Sequence, residues 1–217
     1  TGRILAMVSK PTFDANLLAG HEYEPVNSAY RNYLDDEDKP LINRAINGDL
    51  YHPGSVFKLV VAAAALESGR YSTTTTFENL DRYRLPGTTT TIQNSSGQAC
   101  GDGVLVTLEQ ALIRSCNIPF AMLAVDLGQD RIRAQAELMG FGDDLAIPLT
   151  VTPSIYPQEM ELSQVALSGF GQFDVRVSPL QMAMVTSTIA NQGVLMKPQL
   201  VDQVVAANPN VLSQPTP

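Results

Sequence analysis

The segment PGSVFKLVVAAAALESG, residues 53–69, decides how the rest of the chain is read. Pro53-Gly54 punctuates the backbone, and Val56, Leu59, Val60, Ala63 and Leu66 then recur at helical spacing up to Gly69. The spacing predicts a helix over 55–68, buried on nearly every side because Leu59 to Leu66 is wholly apolar. Lys58 is the single charge between Asp49 and Glu67. With the helix starting at Ser55, Ser55 and Lys58 share a face and the ammonium can reach the hydroxyl, as a nucleophile and its base would. A helix N-terminus also directs unpaired N–H groups and about half a positive charge at the serine oxygen, which favours a developing oxyanion and suits acyl transfer. Lysine is a base only when neutral, and holding it neutral at pH 7 costs about 4.6 kcal/mol against a reference pKa near 10.4. Burial in an apolar helix supplies that desolvation. The plain alternative is a Ser N-cap followed by a solvated Lys, and S-x-x-K arises by chance about once in a chain of this length.

Toward the N-terminus, Arg3 to Lys10 (RILAMVSK) suits a buried strand ended by Pro11. Thr12 to Pro40 is polar and without helical period, a long excursion around a core, and Leu41 to Leu50 reads as a short helix. Toward the C-terminus, the quartets Thr73–Thr76 and Thr88–Thr91 read as strands around a loop at Pro86-Gly87. NSSGQACGDG, residues 94–103, is turn chemistry, after which Thr107 N-caps a helix reaching Arg114. Ser115-Cys116-Asn117 interrupts it, and Pro119 sits in the first turn of a helix that runs to about Leu127 and closes at Gly128. Further helices are expected over about 130–139, 159–168 and 179–191, with an unstructured tail over 208–217. The pattern is α+β with helices in the majority.

Ser115-x-Asn117 is the second chemical element. A Ser hydroxyl there could pass a proton from Lys58 to a leaving amine, while the Asn117 amide binds a peptide group of the substrate. Taken alone, Ser115 and Asn117 read rather as a helix end and cap. His52 lies three residues before Ser55, but no G-x-S-x-G elbow surrounds the serine as a triad would require.

Composition excludes several classes. The 217 residues suit one globular domain, and a net charge of -8 leaves no basic stripe for nucleic acid. No apolar run approaches the roughly 20 residues of a membrane span. Two Cys and two His, with no CxxC, disfavour zinc, and no metal or cofactor is expected. Cys100 and Cys116 are then either one disulfide or two free thiols.

S-x-x-K followed by S-D-N or a relative, and then by K-T-G, is a signature of penicillin-binding proteins and class A β-lactamases. The chain resembles the transpeptidase domain of class B penicillin-binding proteins, most of all the penicillin-binding protein A group of mycobacteria and related actinobacteria. GRILAMVSKPTFDAN resembles the family's opening strand and Asp-Pro-Asn turn, NRAINGDLYHPGSVFK its nucleophile segment and RSCN its second motif. ELSQVALSGFGQFDVRVSPLQMAMVTSTIANQGVLMKP resembles the helix, glycine turn and Thr-Pro-Leu-Gln helix that follow. The resemblance implies a serine transpeptidase fold of the penicillin-binding protein/β-lactamase type. It makes Ser55 the acylated nucleophile, Lys58 its base, Ser115 a proton carrier and Asn117 a substrate-binding residue. The implied substrate is a peptidoglycan stem peptide ending in D-Ala-D-Ala, and the implied inhibitors are β-lactams. Implied partners are other cell-wall synthesis proteins, at the outer face of the plasma membrane and held there by an upstream anchor.

The departures carry information too. Asp14-Ala15-Asn16 and Gly171-Gln172-Phe173 stand where the family has Asp-Pro-Asn and Gly-Gln-Gly, and no K-T-G is present: Lys10, Lys39 and Lys197 all precede Pro. Residues 1–217 therefore read as the central part of a transpeptidase domain, the helical lobe with part of the sheet. The K-T-G strand, with its second oxyanion donor, and the first strand are expected outside it. Alone, the chain is expected to acylate at least about a hundredfold more slowly than with both flanks. A D,D-carboxypeptidase or β-lactamase-type hydrolase and a non-catalytic penicillin-binding scaffold are the alternatives. Glu159 to Ser163 echoes a deacylating glutamate segment but reads as a plain helix start. For an enzyme working outside the membrane a Cys100–Cys116 disulfide is expected, with two reduced cysteines as the alternative.

Overall fold

The computed structural model describes residues 2–145, 147–207 and 211–213. Its elements, in chain order, are α1 (Tyr23–Asp35), α2 (Lys58–Glu67), β1 (Thr76–Glu78), β2 (Arg82–Arg84), β3 (Thr91–Gln93), β4 (Leu105–Thr107), α3 (Leu108–Ile113), α4 (Asn117–Leu127), α5 (Gln129–Leu138), α6 (Leu162–Ser168), α7 (Pro179–Ala190), β5 (Val204–Val205) and β6 (Val211–Ser213). Helices α2 and α4 are apolar all round and so must be enclosed by other elements. Val60, Val61, Ala64 and Ala65 of α2 meet Phe120, Leu123, Ala124 and Leu127 of α4, with Ile132 and Ala136 of α5, Val165 of α6 and Val185 of α7 closing the cluster. Phe57 stacks on Tyr156 at 5.8 Å and meets the edge of Phe141 at 5.7 Å. Aromatic pairs of this kind add about 0.5–1.5 kcal/mol beyond their buried area.

Two devices carry this core to the S-x-x-K turn and the S-x-N junction. The β2–β3 hairpin lies across α4 and α6: buried Leu85 packs with Ala121 and Ala166, flanked by Tyr83 and Ile92. That docking brings the end of β3 to the N-terminus of α4. Residues 171–177 run antiparallel to 51–54: Tyr51 and Val177 exchange N–H···O bonds of 2.9 and 2.8 Å, and the Gly54 N–H donates to the Gly171 carbonyl at 3.0 Å. Gly171 adopts φ +73°, and a Cβ there would overlap the Gly54 backbone.

Several expectations need correction. Arg3 to Lys10 forms only a single parallel bridge, Arg3 to Gln199, and leaves Leu5 90% and Val8 74% exposed. β propensity without a neighbouring strand to complete the ladder does not make a strand, and the described residues supply three separate two-stranded ribbons in place of one sheet. Ile4 and Met7 nevertheless pack on a second cluster of Ile46, Leu145, Ile147, Val151 and Met184. The excursion over 12–40 contains a 3-10 turn, Ala15–Leu18, and helix α1. None of α1 is fully buried, and only Val26, Asn27, Ala29 and Tyr33 are half-buried, so its stripe is short among Glu, Asn and Arg. Leu41 to Leu50 makes a turn at Asn43, not a helix, with the Asn47 N–H on the Asn43 carbonyl at 2.8 Å. Strands β1 and β3 begin at the last residue of each Thr quartet. The earlier threonines serve turns: Thr75 Oγ1 accepts from the Ser72 N–H, and the Thr88 hydroxyl donates to the Leu85 carbonyl. Helix α6 starts at Leu162, three residues later than expected, with Glu161 and Gln164 forming a capping box. Within the tail, β6 pairs with β5, while 208–210 and 214–217 lie outside the described residues. No helix among the described residues is long and apolar enough to cross a membrane.

Candidate active site

Gly54–Phe57 is a 3-10 turn that runs directly into α2. In a 3-10 turn residues three apart eclipse one another, so Ser55 and Lys58 are aligned more closely than an α-helix would align them. Lys58 Nζ lies 3.2 Å from Ser55 Oγ. The two ends of the pair differ in environment: Ser55 is exposed, whereas Lys58 is fully buried. The N–H of Ser55 belongs to the opening turn, whose amides have no acceptor within the helix.

The same ammonium reaches the second motif. Lys58 Nζ donates to the Ser115 carbonyl at 2.7 Å and to Asn117 Oδ1 at 2.9 Å, and lies 3.2 Å from Ser115 Oγ. The Phe120 ring lies on another side, 5.8 Å from Nζ to its centroid. Among the described residues no carboxylate forms an ion pair with Lys58. Desolvation by burial therefore acts without a compensating anion and lowers the Lys58 pKa from 10.5 to about 8. The hydrogens can be counted. An ammonium has three N–H groups for four oxygen neighbours. A neutral amine has two, which the carbonyl oxygens of Ser115 and Asn117 can occupy because neither can donate. The lone pair is then left for the hydroxyls of Ser55 and Ser115, both of which can.

Ser115 holds φ +56°, the left-handed region, at the junction where α3 ends and α4 begins. The Asn117 amide is fixed at both ends, Oδ1 on Lys58 and Nδ2 donating to the Gln93 carbonyl at 3.2 Å. The structure thus brings Ser55, Lys58, Ser115 and Asn117 into one hydrogen-bonded group. Cys100 and Cys116 are joined by a disulfide with Cα atoms 5.8 Å apart, which ties the 94–103 loop to the residue between Ser115 and Asn117. An open groove of about 540 Å³ runs past Ser55 and Asn117, lined also by Gln93, Leu167, Phe170 and Phe173.

Other candidates are employed elsewhere. His52 Nε2 accepts from the Arg176 guanidinium at 2.7 Å. No cluster of three or more His, Cys, Asp or Glu that could hold a metal ion occurs among the described residues. Sequence reasoning missed Gln93, because its contribution is a backbone carbonyl that no side-chain pattern reports. It also missed the role of Gly171, whose lack of a Cβ matters only through contact with Gly54, far away in sequence.

The whole chain, residues 1–217, matches the family model of the penicillin binding protein transpeptidase domain. It is 40% identical to the peptidoglycan D,D-transpeptidase PbpA of Mycolicibacterium smegmatis, aligning over 100% of this chain and 44% of that protein. It is 29% identical to the peptidoglycan D,D-transpeptidase MrdA of Escherichia coli, over 93% of this chain and 32% of the relative. The chain thus spans less than half the length of these curated relatives. Among solved structures, the crystal structure of PBPA from Mycobacterium tuberculosis superposes with a TM-score of 0.92 at 36% identity, covering 99% of this chain and 49% of that one. A structure of the same protein as a penicillin G acyl-enzyme complex superposes at 0.91. A full-length family match, the relatives' identity and the fold agree: the chain belongs to the penicillin-binding protein transpeptidase family.

Proposed function

We propose that this chain carries the acylating half of a peptidoglycan D,D-transpeptidase site. Ser55 is the nucleophile, Lys58 the general base, Ser115 the proton carrier to the leaving group and Asn117 a binder of the substrate's peptide group. The observation that carries this reading is Lys58 Nζ standing 3.2 Å from both serine hydroxyls, buried and without an anion. Neutral Lys58 takes the Ser55 proton as Oγ attacks the penultimate D-Ala carbonyl of a stem peptide. As the tetrahedral intermediate collapses, the C–N bond breaks and the proton passes through Ser115 to the departing D-Ala amine. An amine of a second stem peptide then attacks the ester, forms the cross-link and returns the proton to Ser55. A β-lactam follows the first half of this course, but its leaving nitrogen stays tethered and the ester persists. A stem-peptide substrate and the disulfide both support a place for the domain on the outer side of the plasma membrane, among other cell-wall synthesis proteins.

Intact mass after exposure of the whole gene product to benzylpenicillin tests this. One stable penicilloyl adduct mapping to Ser55, and lost in Ser55→Ala, is expected. Rapid release of hydrolysed drug would indicate a hydrolase; no adduct at all would indicate a scaffold, and an adduct on Ser115 would overturn the assignment.

A further inference from the structure

Helix α4 begins with a residue that cannot cap it. Cys116 occupies the N-cap position, offers no side-chain hydrogen bond and is committed to the disulfide. The first N–H groups of α4 lie in the protein interior, where Ile118 is fully buried, and buried donors without acceptors are strongly disfavoured. Their acceptor comes from another part of the chain. Asn94 Oδ1 accepts from the Asn117 N–H at 2.8 Å and from the Ile118 N–H at 3.0 Å. Asn94 is itself 6% exposed, and its Nδ2 donates to the Gln98 carbonyl at 2.9 Å, which fixes the orientation of the amide.

The neighbouring residue completes the grip. The Gln93 carbonyl accepts from Asn117 Nδ2, so consecutive residues at the end of β3 hold the main chain and the side chain of Asn117. Held in this way, Asn117 turns Oδ1 to Lys58 at 2.9 Å, and Ser115, two residues earlier, presents both its carbonyl and its hydroxyl to the same nitrogen. Nothing in the S-x-N motif supplies this placement: the junction contains a left-handed serine and an uncapped helix start.

We propose that Asn94 is a positioning residue for the acyl transfer, setting Asn117 and Ser115 against Lys58 by capping α4 from the β2–β3 hairpin. The proposal rests on the reading of Ser55 as the acylated nucleophile. Asn94 touches none of the reacting atoms; it acts through Asn117. An aspartate could accept from the same two N–H groups, and its charge would favour a helix N-terminus, although it gives up the bond that Nδ2 donates to the Gln98 carbonyl. Alanine could accept from neither.

The test compares second-order acylation constants for a fluorescent penicillin in wild type, Asn94→Ala, Asn94→Asp and Asn94→Ser of the intact gene product. Thermal denaturation of each confirms that it is folded at the assay temperature. Misplacing a catalytic constellation by about an ångström costs up to about a hundredfold, so Asn94→Ala is expected to be about 10- to 100-fold slower. Asn94→Asp should return to within about threefold of wild type at equal or lower thermal stability, a rescue that a merely structural role does not predict. Should the alanine variant not fold, the same ordering must hold between Asn94→Ser, slower because of its shorter reach, and Asn94→Asp. A folded Asn94→Ala that acylates at the wild-type rate, or an Asp variant as slow as the Ala or Ser variant, overturns the proposal alone. A wild-type protein that takes no label overturns the acyl-enzyme reading and this inference with it.

Discussion

Lys58 is approached from two sides that are built in different ways. On the Ser55 side the alignment is local: a spacing of three residues, from the 3-10 turn into the start of α2, places Oγ 3.2 Å from Nζ. On the Ser115 side the distance is also 3.2 Å, but the chain separation is 57 residues. That second side depends on a left-handed serine, a disulfide and the end of a hairpin. Equal distances thus conceal unequal construction. The local side needs only a helix start, while the distant side needs a folded lobe around it, and perturbations should separate the two.

The largest effect should come from removing what they share. Lys58→Ala deletes the proposed base for both serines and should lower the acylation constant by about 10²- to 10⁴-fold, measured with a chromogenic penicillin. A loss below tenfold would mean that neither side depends on the lysine.

Next is pH, which changes the lysine without altering either approach. With its pKa lowered to about 8 by burial, Lys58 is protonated and inactive as a base well below that value and neutral above it. Acylation should therefore rise about tenfold from pH 7 to 9 and then level off, as a single group titrating near 8 requires. His52→Ala should leave the profile unchanged, because that ring is bonded to Arg176. A midpoint that disappears in His52→Ala would transfer the base role to histidine.

The smallest effect on rate should distinguish the sides most clearly. Replacing both Cys100 and Cys116 by Ala unties the segment after Asn94 from the start of α4, and opening the disulfide-closed loop, whose ends are 16 residues apart, should cost about 3 kcal/mol of stability in the chain-entropy model. Acylation should fall less than across the pH series, because the Gln93 carbonyl and the Asn94 amide still hold Asn117. Urea denaturation and labelling rates measured on the same sample test both statements. A rate loss exceeding that of Lys58→Ala would show that the disulfide, not the hairpin, sets the junction.

The local side was legible in the sequence and the distant side only in part. Ser55 and Lys58 stood out because a lone charge inside an apolar run is a conflict visible along the chain. The cap at Thr107 was equally visible, and it forms its capping box with Gln110. Asn94 was not, because within NSSGQACGDG an asparagine is ordinary turn chemistry and its partners lie 23 and 24 residues away. Helix α1 escaped for a related reason: with no residue fully buried, packing demands little of its sequence. The misread strand at Arg3 to Lys10 shows the converse. Eight residues rich in Ile, Leu, Met and Val announce burial, but they do not say whether a neighbouring strand is present to complete it.

The contact between Gly171 and Gly54 also has a bearing on sequence drift. At φ +73°, with the Gly54 backbone where a Cβ would sit, position 171 admits no side chain without displacing the turn that carries Ser55. Two residues later, Phe173 borders the same groove at φ +61° and shows that a bulky side chain can be accommodated beside Ser55. Variation that reshapes this edge of the groove therefore has an open position and a closed one within a single turn. In a saturation mutagenesis library selected for β-lactam labelling, position 171 should return glycine alone, while position 173 should return a spectrum of residues whose composition reports what the groove tolerates.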